Sequence, residues 1–427
     1  MVLLVICILF FGLALLGMPL VWSLLLTTIG TIGIFGRFYP IEAILLTYIG
    51  GVEPLHLAAI PLFVLAGELI SQGGVGRRLI DFASACLGFL PGGLGVVTVA
   101  SCTLFGSVSG SAVADSAAVG SVMIPGMANR GYPPAFAAAL IATAGTIGVL
   151  IPPSIPLLVY GFVGNVSVAD LFISGIVPGL LLAFGLMLLC VWRGARSGYD
   201  SGGEMPTLKI LWARFIATLP ALGMPAVILG GIYGGLFTPT EAAAIAVIYG
   251  LLLTVVIHRE IKLSELPRIV LDAFITSAVV MVVIGATSAL SWLITVEQVA
   301  RDLSTLISAI SDSKFVFLLL LNIALLLVGI FIEPLPAIIL TAPLFIPTAK
   351  LFGVDPVHLG LIITFNLTIG LYTPPVGGTL FVAARIANVG MGAITRELIP
   401  MFGVAVLVLL LVTYVEWIPM GLVWLGR

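Results

Sequence analysis

The segment TLFGSVSGSAVADSAAVG, from Thr103 to Gly120, sets Ser107, Ser109, Ser111, Asp115 and Ser116 into otherwise apolar chain. Hydroxyl and carboxylate oxygens are hard donors. Gly106 and Gly110 between them permit backbone conformations that a helix interior refuses. Two further segments, GTIGVLIPPS at 145–154 and LTIGLYTPPV at 367–376, each hold a double proline. Consecutive prolines remove two amide donors and break a helix, so the carbonyls of the preceding turn lose their partners. Unwound carbonyls beside hydroxyls can hold Na⁺ at such a break. The first break offers the carbonyls of Gly148, Ile151 and Pro153, closed by Gly106 and Ser109. The second offers Gly370, Thr373 and Val376, closed by Gly329. Ligation by backbone leaves the side chains free to be apolar. The candidate substrate contacts are Ser107, Ser111 and Asp115 on one side and Asn366 and Thr368 beside the second break. Arg385 is the most interior basic residue of the second half. Helix N-termini plus one Arg would give an anionic substrate its donors. Glu333, just before Pro334, is a further carboxylate within apolar sequence. Close packing of small residues competes with a site at Ser107–Ser116, interfacial solvation competes at Glu333, and snorkelling competes at Arg385.

The elements that must position these groups lie in lipid. Of 427 residues, 17 are Lys or Arg and 19 are Asp or Glu, so 8% are charged while 61% are hydrophobic. Soluble domains carry roughly 25% charge, and so little charge cannot cover a globule of this size. The net charge of −2 leaves no basic footprint for nucleic acid. Cys7, Cys86, Cys102 and Cys190 stand singly in apolar runs, without metal or disulfide spacing. His56, His258 and His358 are far apart, no catalytic constellation is visible, and no GxxxxGK[ST] phosphate loop is present. No metal beyond sodium and no ATP is expected. The first apolar run continues to about Phe35, too long for the core of a signal peptide, and reads as a first membrane helix. Thirteen apolar runs give about ten or eleven crossings, at roughly 20 residues each. Runs 101–128 and 335–350 hold Gly, Pro or small polar residues near their middles and read as re-entrant hairpins. The polar stretch 193–214 is a linker between two halves.

The chain repeats itself at a spacing of 222 residues. Pro152-Pro153 falls on Pro374-Pro375, Ile124-Pro125 on Ile346-Pro347, Pro134 on Pro356 and Pro178 on Pro400. At a spacing of 220, Pro19 falls on Pro239. Arg77-Arg78 and Arg193/Arg196 are basic where their counterparts are weak or acidic, while Arg37 stands opposite Arg259. The halves therefore have opposite orientation, the inverted-repeat design of many secondary transporters. Arg77-Arg78, the linker and His258–Arg268 are expected in the cytoplasm, with the N-terminus inside and the C-terminus outside.

Five strings carry a resemblance: AIPLFVLAGELI (59–70), SVSGSAVADSAAVGSVMIP (107–125), GTIGVLIPPSIP (145–156), GGIYGGLFTPTEAAA (230–244) and IGLYTPPVGGTLFVA (369–383). Over essentially its whole length the sequence resembles the large membrane subunit of TRAP transporters, the tripartite ATP-independent periplasmic transporters. The resemblance implies an all-α polytopic protein of the bacterial inner membrane, an elevator-type inverted-repeat transporter with two helical hairpins. It implies Na⁺ as coupling ion, a separate small membrane subunit of about four helices and a periplasmic substrate-binding protein. It also implies an organic-acid substrate of the C4-dicarboxylate, sialic acid, keto-acid or sugar-acid class. On that pattern 1–57 is N-terminal scaffold, 58–192 the first transport repeat with its hairpin near 101–128, and 193–214 a cytoplasmic linker. Residues 215–268 form arm and scaffold helices, and 269–427 the second repeat with its hairpin near 329–350. The tips and breaks named above become the expected Na⁺ and substrate region. A stand-alone sodium/divalent-anion symporter would share these features, and an intramembrane enzyme would need a dyad or metal cluster that is not visible. If both break segments are replaced by continuous helix-formers, Na⁺ dependence of transport is expected to vanish; its survival would contradict the cation sites.

Overall fold

A computed structural model describes residues 1–36, 39–198, 205–309 and 311–426, with the side chains of Leu15 and Ile41 left aside. Arg37 of the orientation argument and 199–204 of the linker lie outside the described residues. The described chain is helical and contains no strand. In order the helices are α1 (Val2–Leu15), α2 (Leu20–Ile34), α3 (Ile41–Val52), α4 (Ala59–Gln72), α5 (Val75–Leu87), α6 (Gly93–Ser109) and α7 (Ala112–Asn129). There follow α8 (Pro134–Ala144), α9 (Ile147–Leu150), α10 (Ile155–Gly164), α11 (Val168–Ser197), α12 (Leu208–Tyr233), α13 (Pro239–Leu251) and α14 (Leu266–Val296). The last are α15 (Val299–Ser308), α16 (Lys314–Phe331), α17 (Pro334–Leu351), α18 (Pro356–Gly370), α19 (Gly378–Ala387), α20 (Met391–Tyr414) and α21 (Trp417–Gly426).

Three expectations are corrected. The first apolar run is two helices, α1 and α2, packed on each other, because Gly17 takes a φ of +81° and Pro19 then restarts the chain. The hairpins are larger than 101–128 and 329–350: their first arms are α6 and α16, beginning at Gly93 and Lys314, and their tips lie at Gly110-Ser111 and Ile332-Glu333. Eight described helices, or nine counting the α8–α10 pair bent by 42°, are long and apolar enough to cross a bilayer, fewer than ten or eleven. The shortfall arises where glycine and proline cut apolar runs into helices under 18 residues.

The repeat is visible element by element. At the 222 spacing, or within two residues of it, the start of α5 falls on that of α15, α6 on α16, α7 on α17, α8 on α18, α10 on α19 and α11 on α20. Turns repeat as well: Gly131 and Gly353 have φ of +83° and +69°, and Asn165 and Asn388 close α10 and α19 at φ +51° and +52°. The mates α11 and α20 run antiparallel. Arg193 near the end of α11 pairs with Glu397 near the start of α20 at 2.5 Å, and a Cβ on Gly185 would lie 2.7 Å from Val404. The two halves are therefore inverted.

The repeats also exchange supports. Helix α10 packs on α17, the second hairpin's outgoing arm, and α19 packs on α7, the first hairpin's. Tyr160 of α10 donates to the Pro356 carbonyl at 2.9 Å, and Thr379 of α19 donates to the Ala142 carbonyl at 2.9 Å. Mates α8 and α18 form the centre: every residue of Phe136–Ala144 and of Val357–Gly370 is buried. A helix apolar all round belongs in such an interior. Around this core stand α2, α3, α4, α12 and α13, with the 31-residue α14 packed against α2, α3, α4 and α17. Arg78–Glu260 and Asp81–Arg214 ion pairs, both 2.7 Å, tie α5 to the turn after α13 and to α12. His258 lies at that turn; burial and then the Arg78 guanidinium hold its imidazole below the usual range, against the opposing pull of Glu260.

Gly360 lies under the Tyr160 ring, where a Cβ would be 2.2 Å from a ring carbon. Gly360→Leu is expected to lower stability by about 1–3 kcal/mol through overpacking, read as a lower melting temperature in detergent. An unchanged melting temperature would contradict the α10–α18 packing.

Candidate functional site

The site is built where each hairpin meets a broken helix. In the first repeat α6 crosses α9 glycine to glycine: a Cβ on Gly106 would lie 2.3 Å from the Gly148 Cα. In the second, α16 crosses α18 in the same way, and a Cβ on Gly370 would lie 2.1 Å from the Gly329 carbonyl oxygen. A Cβ has no room on Gly106, Gly148 or Gly370, whereas one on Gly329 would lie 3.3 Å from the Leu367 Cα. Each crossing sets a hairpin tip beside a break. At the first, Gly110 adopts φ +66° and its Cα faces the Pro153 carbonyl, which a Cβ would approach to 2.6 Å. The first break has extended backbone at Ile151 and Ser154, the second is a run of turns, and the two hold cis Pro152-Pro153 and Pro374-Pro375 bonds. Ser154 caps α10 by accepting from Leu157 N at 3.4 Å and donates to the Val149 carbonyl. At the second break the Leu371 carbonyl accepts from Thr379 N at 3.1 Å and from Thr379 Oγ1 at 2.9 Å.

Asp115, in the first turn of α7, is fully buried behind the first tip. Ser109 Oγ donates to its Oδ1, and Ser111 N donates to Ser109 Oγ at 3.2 Å. Its Oδ2 has no hydrogen-bond partner among the described residues and faces the crossing, 2.8 Å and 2.3 Å from where Cβ atoms on Gly106 and Gly148 would be. The equivalent residue of α17 is the buried Ala337, so only one crossing carries a carboxylate.

Between the tips lies a cavity of about 170 Å³. Its walls are Gly67 and Glu68 of α4, Thr276 and Val280 of α14, Ser109 to Ala114 at the first tip, Ile155-Pro156, Glu333 to Leu335 at the second tip, and Leu371. Helices α7, α10 and α17 all begin on it. The positive ends of three helix dipoles therefore border it. Pro156, Pro334 and Pro336 have no N–H to give, and Ala114 N and Leu157 N donate to the capping Ser111 and Ser154, so the first-turn amides left over include those of Ala112, Val113, Ile155 and Leu335. Among the described residues lining it there is no Lys, Arg or His, and the charged ones are Glu68 and Glu333.

The predicted residues divide. Gly106, Ser109, Gly148 and Pro153 come together at the first crossing, and Ile151 stands in the break beside them. Gly329 and Gly370 meet at the second; Thr373 follows in the break with its hydroxyl on the Ile369 carbonyl at 2.8 Å, while Val376 is exposed. Of the substrate candidates, Ser111 lines the cavity and Asp115 lies behind it. Ser107 instead donates to Leu104 O at 2.7 Å and does not line it. Asn366 is buried between helices, donating to Asn322 Oδ1 at 2.7 Å, and Thr368 bonds Thr364 O at 2.6 Å. Arg385 is exposed at the end of α19. The structure therefore brings none of Ser107, Asn366, Thr368 and Arg385 to the cavity: the first three make their bonds elsewhere, and Arg385 stands in the last turn of α19, away from the break. Sequence reasoning missed Glu68 and Thr276; the only signal for Glu68 was a carboxylate inside an apolar run.

The family described as "Tripartite ATP-independent periplasmic transporter, DctM component" matches residues 7–418. The chain belongs to this family and is one component of a three-part transporter of the bacterial inner membrane, not an enzyme. It is 41% identical over 375 residues to the "C4-dicarboxylate TRAP transporter large permease protein" of Pseudomonas aeruginosa, covering 88% of each chain. It is 35% identical to the "Sialic acid TRAP transporter large permease protein" of Vibrio cholerae, covering 94% of this chain and 93% of that one. The crystal structure of the Alcanivorax borkumensis YdaH transporter shares the fold, with a TM-score of 0.61 at 17% identity over 88% of both chains.

Gly106→Ala and Gly370→Ala each put a methyl onto backbone that cannot swing away, whereas Gly126, with open space around it, tolerates the same change. The first two are expected to lower transport at least tenfold and to lower thermal stability, and Gly126→Ala to leave both near the parent. Equal behaviour of all three in an uptake assay would contradict the crossings.

Proposed function

We propose that this chain couples the inward movement of Na⁺ to import of an organic acid delivered by a periplasmic binding protein. Its two repeats move as a unit against the scaffold helices, the hairpins re-entering from opposite sides of the membrane. The observation that carries this reading is the pair of inverted crossings with a cavity between their tips. At each, a hairpin end and an unwound stretch converge without a basic side chain, an arrangement suited to a cation held by backbone oxygen. Gly106, Ser109, Gly148, Ile151 and Pro153 hold one Na⁺, and Gly329, Gly370, Thr373 and Val376 the other. Asp115 is reassigned from substrate to the first cation region, since its free oxygen faces that crossing.

The substrate carboxylate sits on the N-termini of α7, α10 and α17, with Ser111 beside it. A C4-dicarboxylate, a sialic acid or a sugar acid fits this chemistry, and the names of the relatives span the first two. Two bound cations offset the repulsion that Glu68 and Glu333 exert on an anion, which makes Na⁺ a condition of binding as well as a driving force. A small membrane subunit of about four helices completes the membrane part.

The test is uptake into proteoliposomes holding the chain with its small subunit. Labelled succinate, sialic acid and a sugar acid are offered in turn, each with and without an inward Na⁺ gradient and a loaded binding protein. Uptake of one acid that requires both is the expected result. Uptake on Na⁺ alone would instead make the chain a stand-alone symporter.

A further inference from the structure

A second cavity, of about 370 Å³, lies in the same helix gap as the central one. Helix α14 lines the central cavity with Thr276 and Val280 and the second with Ile284, Thr287, Ser288 and Ser291. Helix α10 lines the first with its first turn and the second with its last, about 10 Å away at 1.5 Å per residue. Helix α17 does the same with Pro334 and then Pro343. The two cavities thus lie in file between α14 on one side and α10 with α17 on the other. The basic end of α11 is cytoplasmic in the orientation read from charge, so the start of α11, the end of α10 and the second cavity are on the periplasmic side.

The chemistry of the second cavity differs from that of the first. Thr287 is 2% exposed, and its Oγ1 has no hydrogen-bond partner among the described residues. An unmade bond of this kind costs about 1–3 kcal/mol, and the oxygen lies just behind the wall of the cavity that Thr287 lines. Ser288 packs where Gly51 leaves room and donates to Ile284 O at 2.9 Å, which keeps its lone pairs free. Asn165 contributes an exposed amide from the left-handed end of α10, and His56 an exposed imidazole 5.0 Å from the Phe162 ring. No carboxylate lines this cavity among the described residues, whereas Glu68 and Glu333 line the central one.

We infer that the second cavity is an outer waiting site, which takes the carboxylate of an organic acid on Thr287, Ser291, Asn165 and His56 before the acid reaches the central cavity. The inference rests on the import reading above. An anion arriving from outside meets neutral donors first and the two glutamates only where the cation crossings and helix N-termini are at hand.

The test needs no uptake, Na⁺ gradient or binding protein, so its failure is separable from failure of the import reading. Ser291→Cys and, as reference, the exposed Leu55→Cys are placed in the full chain in right-side-out vesicles. Each is reacted from outside with the membrane-impermeant sulfonatoethyl and trimethylammonioethyl methanethiosulfonates. Rates are corrected for the unsubstituted chain and normalised to a free thiol. The expected sulfonate-to-ammonium ratio at Ser291→Cys is at least threefold above the reference. It falls toward the reference when Thr287→Val is added, with Asn165→Ala as a second variant should the first fail to fold. Succinate or sialic acid is expected to slow the sulfonate reaction, while glycerol 3-phosphate, carrying lipid headgroup chemistry, is not. A ratio at or below the reference, or one indifferent to Thr287→Val or, where that variant does not fold, to Asn165→Ala, overturns the proposal. So does protection by glycerol 3-phosphate alone, which makes the site a headgroup pocket, or protection by none of the three.

Discussion

Backbone lies directly on backbone at Gly106–Gly148 and at Gly329–Gly370, and the rest of the site depends on that closeness. In lipid no hydrophobic force drives helix against helix, so association rests on packing, and small residues allow the closest packing. Here a carbon added to Gly106, Gly148 or Gly370 would lie 2.3, 2.5 or 2.1 Å from the backbone across the crossing. It fixes each hairpin arm a few residues before its tip and each central helix a few residues before its break. Both irregular stretches are thereby held together inside protein, the one place where unpaired backbone is tolerated at membrane depth. The exchange of α10 and α19 between repeats then braces the outgoing arms, so neither hairpin is supported by its own repeat alone.

The inverted repeat makes the frame symmetric while the chemistry is not. Asp115 has its counterpart in Ala337, and Ser109 in Phe331. The first crossing can therefore present a carboxylate oxygen and a hydroxyl where the second presents backbone and the hydroxyl of Thr373. A cation held at the first crossing has a formal countercharge, and one at the second has only dipoles. The cavity between them is bordered by three helix starts and by two glutamates, Glu68 and Glu333. Among the described residues the cavity wall holds two glutamates and no basic side chain, although over the whole chain 17 Lys and Arg nearly balance 19 Asp and Glu.

The frame was legible because it is made by glycine and proline. Double prolines, tip glycines and the 222 spacing mark breaks and turns whatever the lipid-facing residues are, and the Gly106–Gly148 and Gly329–Gly370 pairs follow from them. Helix phase was not legible, because in helices apolar all round there is no polar face to set it. Asn366 and Thr368 sit next to a break in sequence, but Asn366 bonds Asn322 of α16 and Thr368 bonds the Thr364 carbonyl of its own helix, and Arg385 lies a full helix beyond the break it was meant to serve. Glu68 reaches the cavity from α4, a helix whose sequence carries no sign of which neighbour it faces. The hairpin starts were missed for a related reason: α6 and α16 continue apolar runs that look like independent spans.

The central claim is that the two crossings hold Na⁺, and ligand-linked stability tests it most directly. A cation bound only by the folded protein, at ten times its Kd, adds about 1.4 kcal/mol per site. The measurement is the melting temperature of the purified full chain in NaCl against choline chloride at equal ionic strength, for the parent, Ser109→Ala and Gly106→Ala. A saturable rise with Na⁺ in the parent, smaller in Ser109→Ala and smaller in Gly106→Ala, where only the second crossing's share remains, is the predicted result. Equal melting temperatures in the two salts across the titration would contradict it.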